Sequence, residues 1–532
     1  MIENLEYLQM LMRFPAALRR FLWHSLSLEE AQCSVRERME QRDENFLRMV
    51  ERGVYGYPRS PYLPLLKMAG CELGDLRALV KQKGLEGTLR DLREAGVYFS
   101  FEEFKGRVPT VRHGQTLTVE PKDFDNPFAH RHLAATSGGS TGTAGSVGFD
   151  LELTAMRASH AWLNASVHGV LDAPMILWRG IIPDSTLDQL LQYAYMQRPI
   201  ERWFSNIGLR TSKHWIKYGL ATYYVLFWMR LYGVAVPLPD YVSPDRAVEI
   251  AQAVADLLKT HRQCRMTTTT SGAMRICLEA QRAGISLEGL VIEVGGEPIT
   301  SAKVRAIESA GARHIGFYAM TETGILGKGC ANPLDHDDIH LFKDAFAVID
   351  YAHHVDAFNV TVPAFNLTTL VPVAPKLLLN LQTDDYGIIE ERACGCGFEA
   401  YGYTTHLREI RSYSKLTGEG VTLIGGEIIR VLEEVLPVRF GGSPHDYQLM
   451  EQEDERGLTR LYLLVHPRLD IANEQAVIDI VLDALRRSSA MADSARSVWQ
   501  QTGTLQIKRM EPVWTARGKL MPLHLRRKDG NA

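Results

Sequence analysis

The 532-residue chain is poor in cysteine, and its seven thiols are too few and odd in number for a disulfide framework. It has no excess of either charge. Its 59 basic and 63 acidic side chains leave a net charge of -4, which gives no reason to expect a nucleic-acid partner. A secretory leader is missing too, because Glu3 and Glu6 stand where a basic segment belongs and Arg13, Arg19 and Arg20 interrupt the apolar run. No uninterrupted apolar stretch is long enough to span a bilayer. The nearest approach, residues 219–238, is broken by Arg230, Gly233 and Pro237, and reads as a buried helix and strand with acyl-pocket lining as a further role. Repeats and low-complexity segments are also absent. What remains, 45% hydrophobic and 23% charged residues, is the composition of a globular cytosolic protein, so a soluble cytoplasmic molecule without an integral membrane span is expected. Oligomeric state is not encoded in any pattern, and a homodimer is left open.

The length calls for more than one core. Residues 1–110 read as mostly helical. From about 130 to 410, short apolar runs (175–178, 290–294, 314–318, 346–350) alternate with amphipathic helices, the pattern of an α/β core with a substantial sheet. Beyond a cluster of Ser412, Ser414, Thr417, Gly418 and Gly420, residues 458–466 alternate as a strand, 474–487 as a helix and 504–510 as a strand. The expected fold class is therefore α/β. A large multi-sheet N-terminal domain (1–410) is joined by a hinge (411–420) to a small, mobile α+β C-terminal cap (421–532).

The most informative segment is Thr136-Ser137-Gly138-Gly139-Ser140-Thr141-Gly142-Thr143. Its glycines permit close backbone approach and positive φ, and its hydroxyls add donors, so it can wrap polyphosphate oxygens. No lysine follows in the Gly-Lys-Ser/Thr manner. Residues 138–142 also satisfy Gly-x-Ser-x-Gly, the hydrolase nucleophile elbow, which must run from strand into helix. Here Val147, Phe149, Leu151 and Leu153 alternate with polar or small residues, which predicts a strand on the far side as well. A plain flexible turn is the third reading.

With that loop taken as a phosphate cradle, the chain from about residue 90 onward resembles the acyl-adenylate-forming superfamily, and within it the phenylacetate-CoA ligase-like branch. Gly295-Gly296-Glu297-Pro298 looks like the adenine-side loop, and Tyr318-Ala319-Met320-Thr321-Glu322-Thr323-Gly324 like the aromatic-Gly-x-Thr-Glu motif. By that resemblance Tyr318 stacks on adenine, Thr321 contacts the α-phosphate and Glu322 holds Mg²⁺. Thr383-Asp384-Asp385-Tyr386-Gly387 is similar to the ribose-binding Thr-Gly-Asp motif, which gives Asp385 that role. Arg411, with Arg408 as its competitor, stands where a ribose-contacting arginine is placed. Arg517-Gly518-Lys519 resembles the mobile catalytic lysine, whose ammonium would offset charge between carboxylate and α-phosphate. The departures are Ala319 and Asp384 for glycines, no lysine at the end of the phosphate loop, and no hinge aspartate.

Cys394 and Cys396 form a tight thiol pair, with Cys330 and His340 upstream. Three cysteines and a histidine would close a structural Zn²⁺ site, with His336 an alternative ligand and free thiols in a packed loop the other outcome. Some phenylacetate-CoA ligase-like proteins look similar here. Cys33, Cys71, Cys264 and Cys277 are isolated and read as core residues. The 353–356 His-His-Val-Asp run and Gly441-Gly442-Ser443 carry too little of the acyl-condensing and carrier-attachment patterns to be used. No carrier domain is expected in the 13 residues after Lys519.

The resemblance implies ATP-dependent activation of a small carboxylic acid to its acyl-AMP with Mg²⁺ and release of pyrophosphate, and then acyl transfer to a thiol. CoA is the expected acceptor, with an external carrier protein or an amine as alternatives, and a degenerate nucleotide-binding scaffold as a different class. The acid pocket is expected around residues 175–180, 266–272 and Gly295, with Trp178 enclosing the substrate and Arg179 a candidate partner for a second anionic group.

Overall fold

The computed structural model describes residues 2–129, 133–136, 146–181, 186–206, 215–297, 299–355, 360–412, 415–418, 421–424, 431–442, 446–453, 459–488, 499, 503–513 and 523–525. The first hundred residues are helical: Ile2–Trp23, Leu28–Glu40, Arg42–Val50, Tyr62–Met68 and Leu73–Glu94. Local chemistry sets these starts. The Ser27 hydroxyl accepts from the Glu30 N–H while the Glu30 carboxylate accepts from the Ser27 N–H, so two orphan donors are satisfied at once.

A mixed 13-stranded sheet follows. Its strand order is Phe346–Val355, Val360–Thr369, Leu381–Glu391, Thr405–Ser412, Ile339–Leu341, Gly324–Gly329, Arg313–Met320, Leu290–Gly295, Cys264–Thr269, Met175–Trp178, Arg202–Ser205 and Asp240–Tyr241, with Phe99–Ser100 beside Leu381–Glu391. From Arg313–Met320 to Asp240–Tyr241 every pairing is parallel. From Arg313–Met320 in the other direction every pairing within this path is antiparallel. Met175–Trp178 and Leu290–Gly295 are buried at every position, as befits parallel strands covered on both faces. Within that buried sheet Glu293 is paired with Arg265 and Lys328, each at 2.5 Å.

The C-terminal residues form a separate four-stranded sheet, ordered Leu505–Arg509, Thr459–Val465, Tyr447–Glu453 and Leu523–Leu525, with the helix Glu474–Ser488. They have their own core, in which Val431, Leu449, Leu463, Val477 and Trp499 meet. The chain thus has the expected α/β architecture with a small α+β unit after it. Within the segment expected as a hinge, Lys415–Gly418 pairs antiparallel with Val421–Ile424.

Three local expectations need correction. Cys33, expected in the core, is exposed, while Cys71, Cys264 and Cys277 are buried as expected. The strand after the glycine-rich loop ends at Phe149 rather than running to Leu153, because the Asp150 carboxylate accepts from the Glu152 N–H and starts the helix Leu151–Val167. Residues 219–238 are not a buried helix and strand. They belong largely to the helix Trp215–Leu231, whose Leu220, Tyr223, Phe227 and Leu231 face solvent, and no strand follows before Asp240. Among the described residues, no helix is long and apolar enough to cross a membrane.

Candidate active site and metal centre

The strand Arg313–Met320 is where the sheet changes character, parallel to Leu290–Gly295 on one side and antiparallel to Gly324–Gly329 on the other. The Tyr318–Gly324 motif caps that strand, at the kind of junction where α/β sheets open a crevice. Gly324 turns the chain with φ +82°, and a Cβ there would lie 2.4 Å from the Arg157 guanidinium. Arg157 fills that space, donating to the Thr323 carbonyl at 2.7 Å and pairing with Asp188 at 2.7 Å. It positions the motif from a helix 166 residues away in sequence.

Thr321 is exposed at the turn, and Glu322 is buried. The Glu322 carboxylate accepts from Lys105 Nζ at 2.7 Å, across 217 residues of chain. A buried carboxylate is a hard oxygen donor of the kind that suits Mg²⁺, and here Lys105 balances its charge.

Tyr318 donates its hydroxyl to the Asp385 carboxylate at 2.8 Å. Their strands stand four places apart in the sheet order, which in a flat sheet would separate them by about 19 Å. The sheet therefore curls so that the two residues meet. Burial, with the Asp385 charge behind it, pushes the Tyr318 phenol well above its ordinary range. Arg411 lies on the next strand, opposite Tyr386, and its guanidinium is 3.2 Å from Asp337. Arg408 is committed to Asp335 and Glu390.

On the neighbouring strand end, Gly295 packs under Phe317, whose ring would lie 2.4 Å from any added Cβ. Gly296 adopts φ +83°, and the buried Glu297 accepts from Ser271 Oγ at 2.5 Å. Trp178 and Gly272 face each other nearby, within the region expected for the acid.

Thr136 ends the strand Leu133–Thr136 and pairs in register with Ser146, so the glycine-rich segment joins two antiparallel strands, not strand to helix. That disposes of the hydrolase elbow. Ser137, Gly138, Gly139, Ser140, Thr141, Gly142, Thr143, Pro298, Arg517, Gly518 and Lys519 lie outside the described residues.

The thiol cluster converges. Donor atoms of Cys330, His340, Cys394 and Cys396 all lie within 4.8 Å of one another. His340 Nε2 is 3.2 Å from Cys396 Sγ and 3.5 Å from Cys394 Sγ. Those separations approach what a tetrahedral zinc imposes on its ligands, so the donor set fits the ion. His340 Nδ1 lies 2.7 Å from the Tyr403 carbonyl; donation there fixes the tautomer and leaves Nε2 its lone pair. Gly395, at φ +75°, makes the turn that brings both thiols to one side. The Cys330 thiol, hydrogen-bonded to Cys396, pulls the Cys396 pKa down to about 3, and the same hydrogen bond pushes Cys330 up. His336 instead offers its carbonyl to His314 and is not in the cluster. Behind His340, the His406 ring lies tilted with its centre 4.0 Å away and is held by Asp338.

Lys105, Arg157 and Asp188 were not foreseen from sequence. No motif marks them, because each acts across a gap that only the fold closes.

No family model matches the chain, and no curated protein does. Among solved structures, it is similar to 2-hydroxyisobutyryl-CoA ligase in its postadenylation state (TM-score 0.41, 14% identity, covering 95% of this chain and 91% of that one). It is also similar to the amide bond synthetase McbA from Marinactinospora thermotolerans (TM-score 0.41, 12% identity, 91% and 93% covered). A third is o-succinylbenzoate CoA synthetase from Bacillus subtilis (TM-score 0.40, 14% identity, 73% and 68% covered). Likenesses of this grade bear on neither reaction nor substrate.

Proposed function

We propose that the chain is an acyl-adenylate-forming ligase. A carboxylate attacks the α-phosphorus of ATP, expelling pyrophosphate and leaving the acyl-AMP anhydride, whose acyl group then passes to a thiol. The observation that carries this reading is the meeting of Tyr318 and Asp385, which come from two separate motifs, with Glu322 held by Lys105 in the turn that follows Tyr318. Asp385 offers two oxygens to ribose hydroxyls, and Tyr318 both orients that carboxylate and supplies a ring at the nucleotide's edge. Glu322 would hold Mg²⁺, which supplies the charge neutralisation that lets two anions approach. Thr136–Thr143 would cradle the phosphates, Gly295, Gly296 and Glu297 would border adenine, Arg411 would reach ribose, and Lys519 would close over the α-phosphate from the C-terminal unit after rotation about residues 411–420. Cys330, His340, Cys394 and Cys396 would hold zinc as a closed structural centre with no open position. CoA is the proposed acceptor, ahead of a carrier-protein phosphopantetheine or an amine.

The test is pyrophosphate release with ATP across aryl, fatty and amino acids, followed by addition of CoA or amines. Release should fall roughly 100-fold or more in Lys519→Ala, as expected for loss of a charge-stabilising donor. Stimulation by CoA would fix the acceptor. Unchanged adenylation in Lys519→Ala would remove the lysine's role, and no release with any acid would overturn the proposed reaction.

A further inference from the structure

We infer that the face formed by the helices Ile2–Trp23 and Trp215–Leu231 docks flat on an anionic lipid bilayer. The first observation is exposure. Trp23, Met12, Leu220, Leu231 and Phe227 are 57–77% exposed, and they account for most of the chain's highly exposed large apolar side chains among the described residues. Leu220, Tyr223, Phe227 and Leu231 follow helical spacing, so they form one stripe on the outside of their helix. On its other face the same helix packs inward through Val225, Leu226 and Met229. Its apolar residues therefore run all round, whereas a surface helix of a water-soluble domain would be polar outside.

The two helices are locked together. The Tyr224 hydroxyl donates to the Leu11 carbonyl at 2.5 Å, and Phe14 packs against Tyr224. Between them lies an open groove of about 900 Å³ walled by Pro15, Arg19, Trp23, Tyr224 and Trp228. A contiguous apolar surface of this size marks an interaction site.

Charge selects the occupant. Residues 7–28 contain Arg13, Arg19 and Arg20 and no acidic side chain. Residues 202–239 contain Arg202, Arg210, Lys213, Lys217 and Arg230 and again none, in a chain with 63 acids in all. Arg13, Arg19, Arg20 and Arg230 are exposed on the same two helices that carry the apolar stripe. An apolar face edged by these arginines and rich in tryptophan and tyrosine matches the boundary between anionic headgroups and acyl chains. A second copy of this face would bring the like-charged arginines Arg13, Arg19, Arg20 and Arg230 together. The attachment lies on the surface and does not span it. It is independent of the adenylation chemistry.

The experiment is co-sedimentation of the full chain with vesicles of phosphatidylcholine, with and without phosphatidylglycerol, together with tryptophan emission. Phosphatidylglycerol vesicles should sediment the protein and blue-shift its emission, and binding to phosphatidylcholine alone should be roughly tenfold weaker or less. Leu220→Glu with Phe227→Glu should abolish sedimentation. Arg19→Ala with Arg20→Ala, which leaves the packed faces alone, should weaken it by about fivefold per arginine, and decides the matter if the glutamate variant does not fold. The inference is overturned if the wild-type chain ignores both vesicles, or if light scattering shows a lipid-free dimer that the glutamate pair dissociates. Equal binding by the arginine variant also overturns the charge argument.

Discussion

At the scale of single residues, the Lys105–Glu322 pair decides how the site behaves when empty. Both side chains are largely buried, so removing one partner leaves a desolvated charge and costs about 3–5 kcal/mol. Lys105→Met should therefore unfold at lower temperature than the parent in the absence of metal, and Mg²⁺ should restore much of the loss. Thermal denaturation with and without Mg²⁺ checks this, and a variant indifferent to the metal would separate Glu322 from metal binding. Tyr318, Glu322 and Asp385 can be singled out as candidates in sequence because their motifs are local. Lys105 and Arg157 were not, since a lone lysine after Phe104 and an arginine inside a helix look like any solvated cation until the fold brings them to the motif.

Among elements, the sheet carries its most sensitive charge on the Leu290–Gly295 strand. Burial alone would raise the Glu293 carboxyl, but Lys328 and Arg265 hold it down at about 2 against an ordinary value of 4.5. Its folded value is depressed, so the stability it contributes is complete above pH 4.5 and is lost as pH falls toward 2. Between pH 7 and pH 3 that contribution should shrink by about 2 kcal/mol. Urea unfolding at the two pH values should show this loss in the parent and not in Glu293→Gln, which should itself be less stable at pH 7 by about 3–5 kcal/mol. The strands were readable because parallel, doubly covered strands are continuous apolar runs, as at 175–178 and 290–294. The helix Trp215–Leu231 was misread for the same reason. Apolar residues on every side normally mean burial, and nothing in the one-dimensional pattern shows that one side has no neighbour.

Across the whole molecule, the C-terminal residues keep a hydrophobic core of their own, and the cysteine cluster ties together the antiparallel half of the large sheet. Cys330 follows one strand, His340 lies on another, and Cys394 and Cys396 sit between the strands that carry Asp385 and Arg411. The purified protein should contain a single zinc per chain by elemental analysis, absent in Cys396→Ser. Prolonged chelation should lower the unfolding temperature before it touches the adenylation rate of the protein that remains folded. Metal-free protein of undiminished stability would leave the thiols as ordinary packing residues. Lys105, finally, reaches Glu322 from the end of the N-terminal helical region. If the proposed Mg²⁺–nucleotide replaces that ammonium, one of the bonds joining the two regions is released, so filling the site should loosen residues 101–107. The chain would then exchange one internal bond for the proposed ligand, and free metal without nucleotide would gain little by making that trade.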